Sequence, residues 1–209
     1  HFPKIPIVDE EGISKGYDNN SKYCWIIDPL DVTKEFLAQR QDFGILIGLV
    51  ENGIPVLGIT FRPLANELDW AIKDKGAFIE DAQGTRKISI LDSNEITVLV
   101  SGSRSDQELE DILRILSPKK ITEKHSAFKI IDVAKGQASL YICSRKNTMH
   151  IWDTCAPSII LQEAGGKTTD LYGKPLDYSF KSDNHEKGIV CSNNYIHQNV
   201  INKISKTLA

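Results

Sequence analysis

The sequence predicts a mixed α+β and α/β protein in two parts, an antiparallel sheet followed by a smaller α/β unit. Three observations support this prediction. Up to about Leu91 the apolar runs are short and separated by turn residues. After residues 92–95, strand-like runs alternate with segments of helical periodicity. The chain has 209 residues, 41% of them hydrophobic, which is enough to bury a substantial core. We therefore expect a first part at residues 1–93 and a second at residues 94–209.

The first part reads as a series of β-strands. An Asn52-Gly53 pair joins two of them, and Asn-Gly between apolar runs is a strong hairpin signal. Pro29 cannot donate a ladder hydrogen bond, so we expect the second strand to end there. The predicted strands are residues 5–9, 23–28, 43–50, 54–61, 66–73 and 76–81.

The second part alternates strands with helices. Ser105 and Glu108 have capping-box spacing and predict a helix start. Gly136 and Gly165-Gly166 are placed to end two further helices, and Asn194 is expected to open the last one. The predicted strands are residues 96–103, 138–143 and 188–193, and the predicted helices are residues 105–116, 128–136, 152–166 and a segment from 194 onward.

Composition excludes several classes of protein. The net charge is -3 and the pI about 6.0, without a basic stripe, which argues against polymeric nucleic acid as a partner. No apolar run reaches the length of a transmembrane helix. The four cysteines form no CxxC pair, which favours buried reduced thiols in a cytosolic protein over disulfides or a zinc site. The histidines show no ligand spacing, so we expect them at the surface.

Two aspartates stand directly after an apolar strand, in the stretch WIIDPLDVTKEF at residues 25–36. Two carboxylates held as close as Asp28 and Asp31 are unfavourable in a partly buried place unless a cation pairs with them. Oxygen ligands suit a hard ion such as Mg²⁺, and the Leu30 carbonyl could add another. A surface turn with capping aspartates is an equally good interpretation of these residues alone.

Two further carboxylates extend this set. Asp153 follows Trp152 at an expected helix start, and helix capping is the simpler explanation for this residue alone. Glu10 follows a short strand, and a position in a solvated loop is the simpler explanation for it alone. Taken together, Glu10, Asp28, Asp31 and Asp153 could hold two or three divalent ions of the kind that hydrolyse phosphate esters. The backbone N–H groups of residues 32–34 could hold a phosphate, and Thr33 could orient the attacking water.

Two long motifs resemble one superfamily. WIIDPLDVTKEF resembles W-x-x-D-P-[IL]-D-G-T-x-x-F, and WDTCAPSIILQEAGG at residues 152–166 resembles W-D-x-x-[AP] followed by E-A-G-G. Both belong to the lithium-sensitive, Mg²⁺-dependent sugar phosphatases, which include inositol monophosphatases and 3'(2'),5'-bisphosphate nucleotidases. The segments KEF, SGSRSD, FKIIDVAKGQASLY and GKPLDY are similar to the bacterial nucleotidase branch.

The resemblance implies a layered αβαβα fold and a particular activity. That activity is removal of the 3'-phosphate of adenosine 3',5'-bisphosphate, giving AMP, in support of sulfate assimilation. The implied location is cytoplasmic, with peripheral attachment to the inner membrane as a variant, and homodimers are frequent in the family. An inositol or sugar phosphatase on the same scaffold is the alternative activity.

The resemblance also implies roles for individual residues. Glu10 and Thr33 would activate water, and the backbone at Asp31, Val32 and Thr33 would hold the scissile phosphate. Weaker candidates for the rest of the nucleotide are Ser103, Arg104 and Lys129, for which a cap or a solvated charge is as good an interpretation; His150 is a further candidate for substrate contact. The implied Mg²⁺ ligands are Glu10, Asp28, Leu30 through its carbonyl, Asp31 and Asp153.

The chain departs from the family pattern in two places. Val32 stands where the motif has Gly, and its β-branched side chain stiffens the local backbone. If the backbone there needs a positive φ, Val32 is strained, and if φ is negative, its methyl groups come close to the phosphate. The chain begins at His1, so we expect an N-terminal helical segment to be missing and apolar sheet surface to be exposed. These departures predict reduced activity and leave open a remnant that binds metal and phosphate without turnover.

Overall fold

The structure is a computed structural model that describes residues 5–12, 21–31, 43–102, 106–124, 126 and 128–206. Elements are numbered in chain order within these ranges. The strands are β1 Ile7–Asp9, β2 Tyr23–Asp31, β3 Gly44–Glu51, β4 Ile54–Arg62, β5 Glu67–Ile72, β6 Gly76–Asp81, β7 Gly84–Lys87, β8 Thr97–Ser101, β9 Lys120–Lys124, β10 Leu140–Cys143, β11 Lys167–Thr169 and β12 Ile189–Ser192. The helices are α1 Gln107–Leu116, α2 Lys129–Ala134, α3 Ile151–Glu163 and α4 His197–Ser205.

The strands form two sheets that follow each other along the chain. The first contains β1 to β7 in sequence order, and its pairs are antiparallel except for the parallel pair β1–β2. The second has the order β11-β12-β10-β8-β9, with β8 parallel to both β9 and β10. β12 runs antiparallel to β10 and β11. β7, the last strand of the first sheet, ends at Lys87, and β8, the first strand of the second sheet, begins at Thr97.

The turn and cap residues explain several element ends. Asn52 and Gly53 both have positive φ, 52° and 75°, so the β3–β4 hairpin has the turn that the Asn-Gly pair predicts. Gly165 has φ 100° after α3, where the N–H groups of Gly165 and Gly166 donate to the carbonyls of Gln162 and Leu161.

Two helices fill the space between the sheets. The largest buried cluster joins Leu46 and Ala71 of the first sheet, Ile131 of α2, Ile160 of α3 and Tyr141 of the second sheet. A second cluster packs α1 and α4 on the opposite face of the second sheet. The order of layers is thus sheet, helices, sheet, helices. The outer face of the first sheet carries apolar residues that are only half-buried, among them Ile47, Leu57 and Trp70.

Three local predictions were wrong. β2 continues past Pro29 to Asp31. The side chain that caps α1 belongs to Asp106, whose Oδ1 accepts the N–H of Leu109, and Ser105 lies outside the described residues. The last helix begins at His197, after the Asn193 side chain has accepted the N–H of Ile196. The strands β7, β9 and β11 were not predicted, because all three are short and largely polar.

The prediction for the histidines also needs correction. The side chains of His185 and His197 are 7% and 4% exposed, and both hydrogen-bond to hydroxyl groups. Burial lowers the pKa of each to about 4, so both rings are neutral at pH 7. All four cysteines are buried, as the sequence predicts, and none of the four forms a disulfide. Among the described helices, none has the length and apolar character needed to cross a membrane.

Candidate metal centre

A β-bulge brings the first two aspartates to the same side of the sheet. Asp28 pairs with Leu46 and Asp31 with Gly44, so Pro29 and Leu30 together face a single residue of β3, Ile45. In a regular strand, positions three apart point to opposite faces. Because the bulge adds one residue to β2, Asp28 and Asp31 point to the same face of the sheet, and both carboxylates can reach one site. Bulges also accommodate proline, which explains why β2 does not end at Pro29.

The Asp28 carboxylate is fixed within this bulge. Its side chain is 1% exposed, and Oδ1 accepts the N–H of Leu30 at 2.9 Å. The contact closes a tight local turn between the two aspartates. It also fixes the peptide between Pro29 and Leu30. The Leu30 carbonyl, which the family resemblance implies as a ligand, belongs to the next peptide along the chain.

Glu10 reaches the same region through the parallel pairing of β1 and β2. Asp9 pairs with Ile27, which places Glu10 beside the position of Asp28 just beyond the end of β1. Glu10 is exposed and is not among the carboxylates that approach one another most closely. Its charge is nevertheless near enough to contribute to raising the pKa of Asp28.

Asp153 comes from the first turn of α3. The N–H of His150 donates to Asp153 Oδ2 at 2.8 Å, so the capping role predicted as an alternative is present. The helix start is held against β2 by a buried cluster that contains Ile26, Ile151 and Cys155. Capping and a place in the carboxylate group are therefore compatible, because a carboxylate has two oxygens.

The three aspartates meet closely. One carboxylate oxygen from each of Asp28, Asp31 and Asp153 lies within 4.8 Å of the others. Burial, and then the charges of Asp31, Glu10 and Asp153, raise the pKa of Asp28 to about 9. Ionised carboxylates at this spacing repel one another unless a cation neutralises them. An all-oxygen set of this kind fits a hard divalent ion such as Mg²⁺.

Four predicted site residues cannot be placed. Val32, Thr33, Ser103 and Arg104 lie outside the described residues. Their roles stay predictions from the sequence and its family resemblance.

The sequence left Lys129 with two interpretations, a contact to the nucleotide or a cap or solvated charge. Its side chain is 7% exposed and contacts the Ser126 carbonyl, and Nζ lies 5.5 Å from the centroid of the Tyr141 ring. It is thus not a solvated surface charge. The preceding residue, Phe128, packs so closely on Gly44 that there is no room for a Cβ. Because Gly44 pairs with Asp31, the start of α2 lies beside the strand end that carries the aspartates.

The layered arrangement of sheets and helices is shared with solved structures of known proteins. Among solved structures, the chain is similar to an inositol monophosphatase from Anabaena (Nostoc), with TM-score 0.81 and 29% identity over 99% of this chain and 80% of that one. An IMPase from Thermotoga maritima gives TM-score 0.79 and 28% identity over 99% of this chain and 76% of that one. The layered fold predicted from the sequence is thereby confirmed.

The inositol monophosphatase family matches this chain over residues 1–209, and the chain belongs to that family. Among curated proteins it is 35% identical over 179 residues to the 3'(2'),5'-bisphosphate nucleotidase CysQ of Escherichia coli, which is 85% of this chain and 71% of the relative. The CysQ of Buchnera aphidicola is 34% identical over 181 residues, 86% of this chain and 68% of the relative. An inositol-1-monophosphatase of Bacillus subtilis is 26% identical over 204 residues, 95% of this chain and 74% of the relative.

Proposed function

We propose that this chain is a Mg²⁺-dependent phosphomonoesterase that removes the 3'-phosphate of adenosine 3',5'-bisphosphate, releasing AMP and phosphate. The observation that carries the proposal is the meeting of Asp28, Asp31 and Asp153 within 4.8 Å, in a chain 35% identical to a bisphosphate nucleotidase. A role in sulfate assimilation is part of the same proposal.

The proposed ligands divide into buried and accessible groups. Asp28 is buried, whereas Asp31 and Asp153 are half-buried and can face both an ion and a substrate phosphate. The Leu30 carbonyl completes the oxygen set on the β2 bulge. Mg²⁺ held there would neutralise the phosphate oxygens and lower the pKa of a water molecule. Two or three such ions are proposed for each site.

The chain's own residues then orient the reactants. In this proposal Glu10 and Thr33 activate the attacking water: the Glu10 carboxylate accepts its proton, and the Thr33 hydroxyl orients it. The backbone N–H groups around Val32 and Thr33 hold the scissile phosphate. Ser103, Arg104 and Lys129 contact the rest of the nucleotide, and a buried ammonium group such as that of Lys129 suits an anionic substrate.

An inositol or sugar monophosphatase is the second candidate. The observation that favours it is the 29% identity to the Anabaena inositol monophosphatase over nearly the whole chain. The two candidates differ in the leaving group, so the site itself does not separate them.

Phosphate release from a substrate panel tests the proposal. With Mg²⁺, adenosine 3',5'-bisphosphate should be hydrolysed with a higher kcat/KM than inositol 1-phosphate, and Li⁺ should inhibit the reaction. Asp31→Asn is the control and should abolish release. A preference for inositol 1-phosphate would establish the second candidate. A folded chain that binds Mg²⁺ and nucleotide but releases no phosphate would establish the remnant without turnover.

Two properties of the assembly are proposed on family grounds alone. We expect a homodimer in solution and a cytoplasmic location. Light scattering at several protein concentrations tests the first, and a monomer at all concentrations would refute it. Cell fractionation tests the second.

A further inference from the structure

A buried hydrogen-bond network of three hydroxyl groups and one imidazole ring leads from the interior to the first turn of α3. It contains Thr154, Ser158, Tyr178 and His185, all buried. Thr154 and Ser158 belong to α3, and the other two belong to the segment of residues 174–188 that crosses over it. Thr154 Oγ1 lies 2.8 Å from His185 Nε2 and 3.2 Å from the Tyr178 hydroxyl, which in turn lies 2.9 Å from Ser158 Oγ.

The direction of these hydrogen bonds follows from what each atom can do. The Thr154 hydroxyl has one proton to donate. Its Oγ1 lies 3.2 Å from the carbonyl oxygen of His150 and 3.3 Å from that of Ile151, and a carbonyl oxygen can only accept a hydrogen bond. With its proton given to a carbonyl, Thr154 accepts from the Tyr178 O–H and from His185 Nε2–H. Tyr178 then accepts from Ser158. In this arrangement the His185 ring carries its proton on Nε2, and in the other tautomer Thr154 donates to Nε2 instead. Every oxygen in the network has a partner in either case.

The end of this network is the residue that holds Asp153. The carbonyl of His150 is an acceptor for Thr154, and the N–H of the same residue donates to Asp153 Oδ2. The segment that carries Tyr178 and His185 also binds the helix start through its backbone. There the N–H of His185 donates to the Met149 carbonyl, and the N–H of Ile151 donates to the Asp183 carbonyl.

We propose that Thr154, Tyr178 and His185 are positioning residues that fix the first turn of α3, and with it the Asp153 carboxylate, for divalent-metal binding. The proposal rests on the proposed function in taking Asp153 as a metal ligand. None of the three touches the reacting atoms. Partners of this kind orient ligands, and their loss typically weakens metal affinity about tenfold or more.

The test measures Mn²⁺ binding by electron paramagnetic resonance of the free ion, together with Tm. Thr154→Val keeps the shape and removes the hydroxyl, Thr154→Ser keeps the hydroxyl, and Tyr178→Phe removes one O–H. Ser192→Ala is the matched control, because Ser192 is also buried and hydrogen-bonds His197 at 2.7 Å, but in the second sheet. We expect Thr154→Val and Tyr178→Phe to raise the Kd for Mn²⁺ about tenfold or more. Thr154→Ser should bind within twofold of the wild type, as should the control.

Two results would overturn the proposal. One is a Kd unchanged in Thr154→Val and Tyr178→Phe while Tm falls as in Ser192→Ala, which would make the network structural only. The other is a wild-type chain that binds no Mn²⁺, since there would then be no ligand to position. If Thr154→Val does not fold, Tyr178→Phe decides. The proposed function can fail separately. If the wild type binds Mn²⁺ and loses this binding in Asp28→Asn, but hydrolyses no phosphate ester, the proposed function is refuted and the positioning test remains valid.

Discussion

Gly48 of β3 lies directly against Cys155 of α3, so closely that a Cβ added to the glycine would lie under 3.0 Å from the cysteine sulfur. Gly58 of β4 makes the same kind of approach to Ala156. Because neither glycine has a side chain, α3 packs directly against the backbone of β3 and β4. Because α3 carries Asp153 and β2 carries Asp28 and Asp31, the contact sets the spacing of the proposed metal ligands.

Gly48→Ala should therefore affect both stability and the site. We expect the free energy of unfolding to fall by about 1–3 kcal/mol, since the added methyl group overpacks the contact. The displacement of α3 should also weaken Mg²⁺ binding. Chemical denaturation and titration calorimetry check the two effects. The control is Thr85→Ala on the exposed strand β7, which should change neither. A Gly48→Ala protein as stable as the wild type would show that the sheet and helix can separate without cost.

The ion-pair network that fixes α2 could not be predicted from the sequence. Arg62 of β4 contacts Asp132 of α2 at 3.2 Å, and Lys124 of β9 contacts the same carboxylate at 2.6 Å. These residues are distant in sequence and carry no local signal, because their pairing depends on how the sheets pack. Asn52-Gly53, by contrast, was predictable because the turn is a property of two adjacent residues.

The carboxylate site likewise has features that the sequence predicted and features that it did not. The sequence predicted Glu10, Asp28, Asp31 and Asp153 as a set of carboxylates. The structure brings one oxygen of each of the three aspartates within 4.8 Å, and Glu10 is not part of this group. The bulge at Pro29 was not foreseen, since proline reads locally as a strand end and only the pairing with β3 reveals the register shift. The buried His185 was also missed, because a single histidine has no periodic pattern to mark its partners.

Val32→Gly should raise kcat/KM. The family motif has Gly at this position, and a β-branched side chain there stiffens the backbone that is proposed to hold the scissile phosphate. We expect an increase of severalfold, measured as phosphate release from adenosine 3',5'-bisphosphate. Equal kcat/KM for the two forms would mean that the family pattern at position 32 is no constraint in this chain.

Lys129→Met should weaken nucleotide binding more than it weakens catalysis. The ammonium group is buried beside the Tyr141 ring near the start of α2, where it can attract a second phosphate of the substrate. We expect KM for adenosine 3',5'-bisphosphate to rise about tenfold or more, as for the loss of a charge-assisted hydrogen bond. KM for inositol 1-phosphate should change little. Lys120→Met on the exposed edge strand β9 serves as the control, and equal effects on both substrates would argue against a nucleotide contact.

The buried His197 predicts a loss of stability in acid. Burial and then the charge of Lys167 lower its pKa to about 4 in the folded chain, compared with about 6.5 when unfolded. The unfolded state thus binds more protons between these values, so the stabilising contribution is complete above pH 6.5 and is lost as the pH falls to 4. The loss from this residue should be roughly 1–3 kcal/mol.

Denaturant unfolding at pH 7, 5.5 and 4.5 measures this effect. His197→Gln removes the titrating ring, so its stability should vary less over this range than that of the wild type. A variant with the same pH dependence as the wild type would assign the acid sensitivity to other groups, such as His185.

The most direct test of the account is titration calorimetry of Mg²⁺ into the wild type and into Asp28→Asn. Asp28 is the most buried of the three clustered aspartates. Its replacement by the amide Asn keeps the size but removes the carboxyl group that can ionise when it binds a cation. The account predicts saturable binding in the wild type, and binding at least tenfold weaker in the variant, together with loss of Mg²⁺-dependent phosphate release. Equal Mg²⁺ affinity in the two folded proteins would contradict the assignment of this carboxylate group as the metal site.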